Sequence, residues 1–471
     1  MDAPHRLVEE IEDFCQRFGI AESTFGNRAV NDGKFIGRLR NGGRVTTATI
    51  DKARAYMATY QGRGGGGVAP LRTGQGGKGA VGTKGAKLAG ARANGEGTGA
   101  AAFRFYDNRQ KYLMFVHTCS EKWVVAERVG MELAHVQVAP PALRVFDAGM
   151  GDGTVMTRTL RHMHRKFPTV PFYIVGKEIS LEDVRLSLEK MPDRFCEHPA
   201  TVLVITNLYY TEAPSLMPRS IAAAASLNWQ EVALSGSTAH DFERQITELQ
   251  PTLAEGWQVR ASPATGNPLY VRPSVLVLYR EDHKLLLDQV IPRPGQAQGS
   301  YDLIVASQPY RARMPIDFKV DKVLSPLAGA LAPGGRMLTI QAYGRDPGLE
   351  VIRKIWPEEN PFRHDRHQIL HHMKARLGRK YRDLAFKAYA DNRALFRYDM
   401  HTLPSEIGSN IGTSTLFAAW NAAIYVAQIE DQRLEKVISD ASYLEATREV
   451  LQEHSGLWFL DESFVVARRR A

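Results

Sequence analysis

Two hydrophobic periods succeed one another along the chain. Over residues 5–60 apolar positions recur every three to four residues, the spacing of one helical face. Leu7, Ile11 and the Phe14/Cys15 pair mark the first stripe, Gly19 closes it, and Asp32 and Thr46 or Thr47 stand where later helices would be capped. Four short helices are predicted, over 7–18, 22–30, 33–40 and 47–60. Beyond residue 101 an aromatic-rich helical stretch, 103–133, leads into short apolar runs at 143–148, 172–177, 201–206, 301–306 and 336–341. Amphipathic segments at 154–167, 181–191 and 320–331 separate them. Apolar runs of this length are strands buried on both faces, and their alternation with helices predicts a doubly wound, mostly parallel α/β sheet.

Three stretches depart from this alternation. Residues 212–300 are Pro-rich, with a helix expected near 239–253 and an extra strand at 274–279, and read as an inserted cap. Residues 348–400 read as helical and basic. The terminal run LWFLDESFVVARRR reads as strand, turn and strand, an antiparallel edge to the sheet.

Between the two patterns, residues 62–100 hold 15 of the chain's 40 glycines and show no periodicity. Such a segment buries too little apolar area to offset its ordering entropy, and as a flexible coil it would span on the order of 35 Å. The expected organisation is a helical domain over 1–61, a linker over 62–100, and an α/β domain over 101–471 with its insertion.

Charge sharpens this division. The 471 residues carry a net +9, yet positions 34–96 alone hold twelve Lys or Arg against Asp51 and Glu96, a balance of +10. The basic character therefore belongs to the linker and its flank, where salt-sensitive contact with a polyanion and mere solubility are both served. Three distant cysteines, Cys15, Cys119 and Cys196, fit neither a disulfide framework nor paired zinc ligands. The start lacks an apolar signal region, and the longest near-apolar stretch, 416–429, has 14 residues, so a cytoplasmic protein without a membrane span is expected.

The run GIAESTFGNRAVNDGKFIGRLRNGGR resembles small helix-turn-helix domains of the lambda-repressor type. The resemblance implies a third helix that presents Lys34, Arg38 and Arg40 to DNA or RNA while Phe35, Ile36 and Leu39 pack inward. A helical interaction module with a solvated basic face meets the same pattern.

The chemistry concentrates in VFDAGMGDGT, residues 145–154, between a predicted strand and a predicted helix. Gly149, Gly151 and Gly153 allow a tight turn and close approach to a ligand. A dinucleotide fingerprint would require glycine at 154, where Thr stands. The D-x-G-x-G-x-G pattern opening at Asp147 resembles the first motif of class I S-adenosylmethionine-dependent methyltransferases. Glu178 follows at the end of the second strand in FYIVGKEIS, and Asn207 at the end of the third; the resemblance implies that these two hold the ribose and the adenine. SYDLIVASQPY and LAGALAPGGRMLTIQ, with its Pro333-Gly334-Gly335 turn, resemble the family's fourth and fifth strands. The resemblance implies a seven-stranded Rossmann-like sheet, S-adenosyl-L-methionine as cofactor and no metal.

Ser307-Gln308-Pro309-Tyr310 resembles the substrate loop of amino-methylating members, with Gln308 in place of the first proline. It implies catalytic roles for Ser307, Gln308 and Tyr310, the tyrosine ring facing the acceptor or the sulfonium. An ordinary strand-end turn is the other reading. In residues 105–123, Tyr106, Tyr112, Ser120 and Glu121 would close over the cofactor or belong to a core helix. His364, His367 and His371 share a helical face among seven Arg/Lys, a setting better suited to phosphate or solvent than to a metal. Asp317 and Asp321 would accept a proton or cap a helix. The expected function is methyl transfer to nucleic acid or a nucleic-acid-associated target. The alternatives are transfer to a metabolite, or a DNA-binding regulator that only senses the cofactor.

Overall fold

A computed structural model describes residues 3–59 and 109–470, apart from 19–20, 31, 33, 41–46, 263–267, 298, 403, 409–410 and 439–440. The linker 62–100 and Tyr106 lie outside the described residues. The chain divides into two compact units, Met1–Gly95 and Glu96–Ala471.

Among the described residues, the first unit holds four helices, Ala3–Phe18, Glu22–Val30, Phe35–Arg40 and Thr47–Thr59. Leu7, Ile11, Phe14, Phe25, Phe35, Ile36, Leu39 and Ala53 close its core. The rings of Phe14 and Phe25 meet edge to face at 5.6 Å, and those of Phe25 and Tyr56 at 5.4 Å.

In the second unit β1 (Leu143–Asp147), β2 (Phe172–Lys177) and β3 (Thr201–Thr206) are followed by β4 (Asn228–Leu234), a small β5 (Val259–Ala261) and β6 (Pro268–Tyr270) hairpin, and β7 (Ser274–Arg280). Then come β8 (Tyr301–Ser307), β9 (Leu331–Ala342), β10 (Leu384–Lys387), β11 (Leu395–Asp399) and β12 (Trp458–Arg468). The main sheet has ten strands in the order β10-β12-β9-β8-β1-β2-β3-β7-β4, with β11 also on β12. Its centre, β3-β2-β1-β8-β9, is parallel throughout. Because β2 and β3 extend to one side of β1 and β8 and β9 to the other, the order reverses between β1 and β8. In open α/β sheets ligands bind at such a reversal, outside the carboxyl ends of the strands.

Apolar residues alternate between the two faces and make two cores. Phe146, Val175, Val204, Ile304 and Met337 line one; Val145, Ile174, Leu203, Val305 and Leu338 line the other. The helix Thr154–Lys166 shows the local logic: Val155, Met156, Thr159, Leu160 and Met163 form its buried stripe. Its last turn carries His164, Arg165 and Lys166, which complement the helix dipole.

Four expectations need correction. The sheet has ten strands, not seven. Residues 212–300 form no separate cap, since β7 pairs antiparallel with β3, and β4 parallel with β7, so the insertion prolongs the sheet. The terminal run is one strand of 11 residues, in which Asp461, Glu462 and Ser463 are buried rather than turning. Residues 348–400, read as helical, also supply β10 and β11, which pair with β12.

Candidate active site

The glycine loop leaves β1 at the order reversal. Ala148 N–H donates to Val305 O at 2.8 Å, tying the loop's first residue to β8. Gly151 and Gly153 have φ of +54° and +77°, the left-handed region where a Cβ is costly. A Cβ on Gly153 would lie 2.6 Å from the Ser187 Cβ, so glycine here is also a packing requirement. In front of Gly149 the nearest atom that a Cβ would meet is the Ser307 carbonyl, at 3.8 Å.

Two carboxylates flank the loop. Gly149 N–H donates to Asp147 Oδ1 at 3.2 Å. Burial pushes the Asp147 carboxyl up to about 6, against the opposing pull of the Gly149 N–H and the Lys122 charge. Glu178 accepts Gly151 N–H at 2.9 Å, Ile179 N–H at 2.7 Å and Ser180 N–H at 2.9 Å. Two residues 27 positions apart thus hold one turn. Asp152 is pinned beside them by Lys190 at 2.8 Å and by the Tyr112 hydroxyl at 3.2 Å. Burial disfavours the Asp152 charge, but Lys190 and Thr154 hold its carboxyl below the usual range.

The loop after β8 adds the second wall. Gln308 sits at φ +47°; its Oε1 accepts Ala342 N–H at 3.2 Å while its Nε2 reaches Asp461 at 3.3 Å. Asp461 is fully buried, and burial together with the charges of Glu121 and Asp346 raises its carboxyl well above the ordinary range. Ser307 Oγ is buried without a hydrogen-bond partner among the described residues. The Tyr310 hydroxyl donates to Gln341 Oε1 at 2.8 Å, and its ring, 7% exposed, carries the Lys319 ammonium at 5.0 Å. Tyr210 closes the loop by donating to Pro309 O at 2.9 Å.

Asp147, Gly149, Gly151, Gly153, Glu178, Ser307, Gln308 and Tyr310 therefore lie at the carboxyl ends of β1, β2 and β8. Asn207 is placed differently. Its amide donates to Gly256 O at 3.0 Å and Arg272 O at 2.9 Å and accepts Ser274 N–H at 2.8 Å, so its side chain stitches the insertion to β3. Tyr112 touches the glycine loop through Asp152, at 3.2 Å. Ser120 instead bonds the backbone of Asp399, and Glu121 faces Lys122 at 3.0 Å. Asp317 is exposed and paired with His372 and Arg376. Asp321 pairs with Arg376 as well. Among the described residues the one grouping able to hold a cation is Glu350, Glu453 and His454, which includes none of His364, His367 and His371.

In the first unit the expected nucleic-acid contacts are partly spoken for. Arg40 bonds Glu12 and Glu22, and Arg38 pairs with Asp32. Lys34 is exposed.

Sequence reasoning missed Trp257, which donates from Nε1 to the Glu178 carbonyl at 2.8 Å, and also Tyr210, Lys319, Gln341 and Asp461. Only the polar triplet Asp461-Glu462-Ser463 inside an apolar run carried a signal, and it resembled a turn.

No protein-family model and no curated protein matches the chain. Similar solved structures include a Galdieria sulphuraria protein provisionally assigned as a sarcosine dimethylglycine methyltransferase, at 11% identity, covering 73% of this chain and 85% of its own, with a TM-score of 0.31. Phosphoethanolamine N-methyltransferase 2 of Haemonchus contortus, with S-adenosyl-L-methionine, is 12% identical and covers 79% and 61%, at a TM-score of 0.28. The rRNA methyltransferase aviRa of Streptomyces viridochromogenes is 13% identical and covers 52% and 77%, at 0.18.

Proposed function

We propose that the chain is an S-adenosylmethionine-dependent methyltransferase. The observation that carries the reading is the 147–153 turn at the order reversal, with the Asp147 carboxylate on one side and Glu178 bound to Gly151 N–H at 2.9 Å on the other. This pair of carboxylate acceptors fits a ligand with an ammonium group at one end and a ribose diol at the other. Asp147 has no salt bridge among the described residues and is free to take the ammonium. Glu178 spends three of a carboxylate's about four acceptor positions on backbone N–H groups, which leaves one for a ribose hydroxyl. The space before Gly149 admits the ligand's backbone.

When bound, the cofactor supplies a methyl carbon already activated by its sulfonium. The protein's work is alignment, exclusion of water and disposal of the acceptor's proton. Gln308, held by Ala342 and Asp461, fixes the loop, and Ser307 Oγ remains able to bond the acceptor.

For the acceptor, the burial of Tyr310 favours a small molecule over a flipped base, since its hydroxyl is bonded and Lys319 covers its ring. Nucleic-acid delivery is the second reading, supported by the +10 balance of residues 34–96 and by exposed Lys34.

The test is label transfer from methyl-tritiated S-adenosylmethionine into extract of cells lacking the protein, fractionated by nuclease, protease and size. Asp147→Ala serves as control, and S-adenosylhomocysteine binding is measured by calorimetry. Label in small molecules supports the leading reading, and nuclease-sensitive label the second. Neither binding nor transfer would refute both.

A further inference from the structure

The face of the sheet below the loop after β8 holds a buried cation without a counterpart. Lys319 is 2% exposed and opens the π-helical turn Lys319–Leu324, a distortion that often accompanies functional sites. Its ammonium lies over the Tyr310 ring and forms no hydrogen bond or salt bridge among the described residues. The one buried carboxylate that attracts it, Glu462, is already committed: Oε1 accepts from Gln341 at 2.7 Å and Oε2 from Arg366 at 3.1 Å.

A second orphan adjoins it. His364 Nδ1 is buried without a partner, and the His364 carbonyl accepts from Gln341 Nε2 at 2.8 Å, the same amide group whose oxygen binds Tyr310. Burial, and next the Lys319 charge, lower the His364 imidazole; burial likewise brings the Lys319 ammonium down to about 8.

An unpaired buried ammonium is costly, and a buried ring nitrogen without a partner adds to the cost. Both are relieved by a ligand oxygen that carries negative charge. We propose that Lys319 and His364 form an anion-binding subsite beside Tyr310 that receives the carboxylate or phosphate of the methyl acceptor. The proposal rests on the methyltransferase reading for its purpose, but its chemistry is independent of it. A cation already seated on the tyrosine ring disfavours a cationic acceptor there. An acidic group anchored at Lys319 would hold the acceptor beside Tyr310, so the subsite sets specificity through position.

The experiment is thermal unfolding of the full chain, with and without S-adenosylhomocysteine, titrated with inorganic phosphate or acetate at constant ionic strength against chloride. One of the two anions should stabilise the wild type saturably; phosphate and acetate distinguish a phosphorylated from a carboxylate acceptor. Loss of a charge-assisted hydrogen bond should weaken apparent anion affinity about tenfold or more in Lys319→Met, and measurably in His364→Ala. Arg376→Gln, on the exposed side of the neighbouring helix, should retain the wild-type response. If Lys319→Met does not fold, Lys319→Arg and His364→Ala carry the test, the arginine retaining binding and the alanine weakening it measurably. No response beyond chloride in the wild type, or equal responses in wild type and His364→Ala, overturns the subsite. Failure of S-adenosylhomocysteine to bind while the anion response persists would instead overturn the methyltransferase reading.

Discussion

Replacing Asn207 by alanine separates two roles that the sequence left superimposed. If the side chain holds a ligand, its loss weakens binding and leaves the fold untouched. The structure assigns it three internal hydrogen bonds, to Gly256 O, Arg272 O and Ser274 N–H, at a position 1% exposed. Truncation strands the Ser274 N–H and leaves Gly256 O and Arg272 O to share the Ser274 hydroxyl, at 2.9 and 3.4 Å, where water has little access. At a lower figure of about 1 kcal/mol for the N–H and for one carbonyl, the cost is ~2 kcal/mol. A unit of this size unfolds with an entropy of roughly 0.8 kcal/mol per kelvin, so the apparent Tm should fall by about 2.5 °C. Circular dichroism melts of Asn207→Ala and wild type, without ligand, measure this directly. Calorimetry with S-adenosylhomocysteine then tells whether affinity falls beyond what looser packing explains. A Tm within about 1 °C of wild type combined with a tenfold loss of affinity would refute the structural assignment and return Asn207 to the ligand.

Other consequences are equally direct. The Asp147 carboxyl, raised by burial to about 6, is neutral below that pH and charged above it. Affinity for S-adenosylhomocysteine, whose ammonium needs the charged form, should therefore rise from pH 5 to pH 7 and then level off. Because the folded value exceeds the ordinary 3.8, stability from this group declines as pH rises between those two values. Asp147→Asn should abolish the affinity trend and raise the Tm of the unliganded protein at pH 7; an unchanged pH profile would exclude Asp147 from the ammonium site. Glu132, fully buried, serves both Arg128 at 2.9 Å and Arg336 at 2.6 Å, so Glu132→Ala should cost about 3–5 kcal/mol in urea unfolding. A loss below about 1 kcal/mol would mean that water reaches these arginines. Gly153→Ala, with φ +77° and a 2.6 Å clash, should destabilise the fold and weaken S-adenosylhomocysteine binding together, and wild-type values for both would contradict the loop geometry.

The helices of the first unit and the parallel centre of the second were legible because their signals are local. Leu7, Ile11 and Phe14 repeat at a helical period, and the runs at 143–148 and 172–177 are apolar without interruption because both faces are covered. The glycine turn was legible for a related reason, since positive φ at Gly151 and Gly153 restricts which residues stand there. What failed was long-range. β7 looks like any extra strand and β4 carried no clear signal; only the pairing of β7 with β3, and of β4 with β7, distinguishes an extended sheet from a cap. Asp461, Glu462 and Ser463 look like a turn because polar triplets usually meet water. Here Gln308, Arg366 and Arg128, from three distant segments, satisfy them inside the sheet.

By itself, then, the sequence determined where backbone could turn tightly, which segments had to bury both faces, and that two carboxylates would stand at the ends of adjacent strands. Tertiary structure alone decided what the polar side chains do. A hydrogen bond or an uncompensated charge depends on what lies within a few ångströms, and for Asn207, Lys319 and Asp461 those neighbours come from parts of the chain that no local pattern connects.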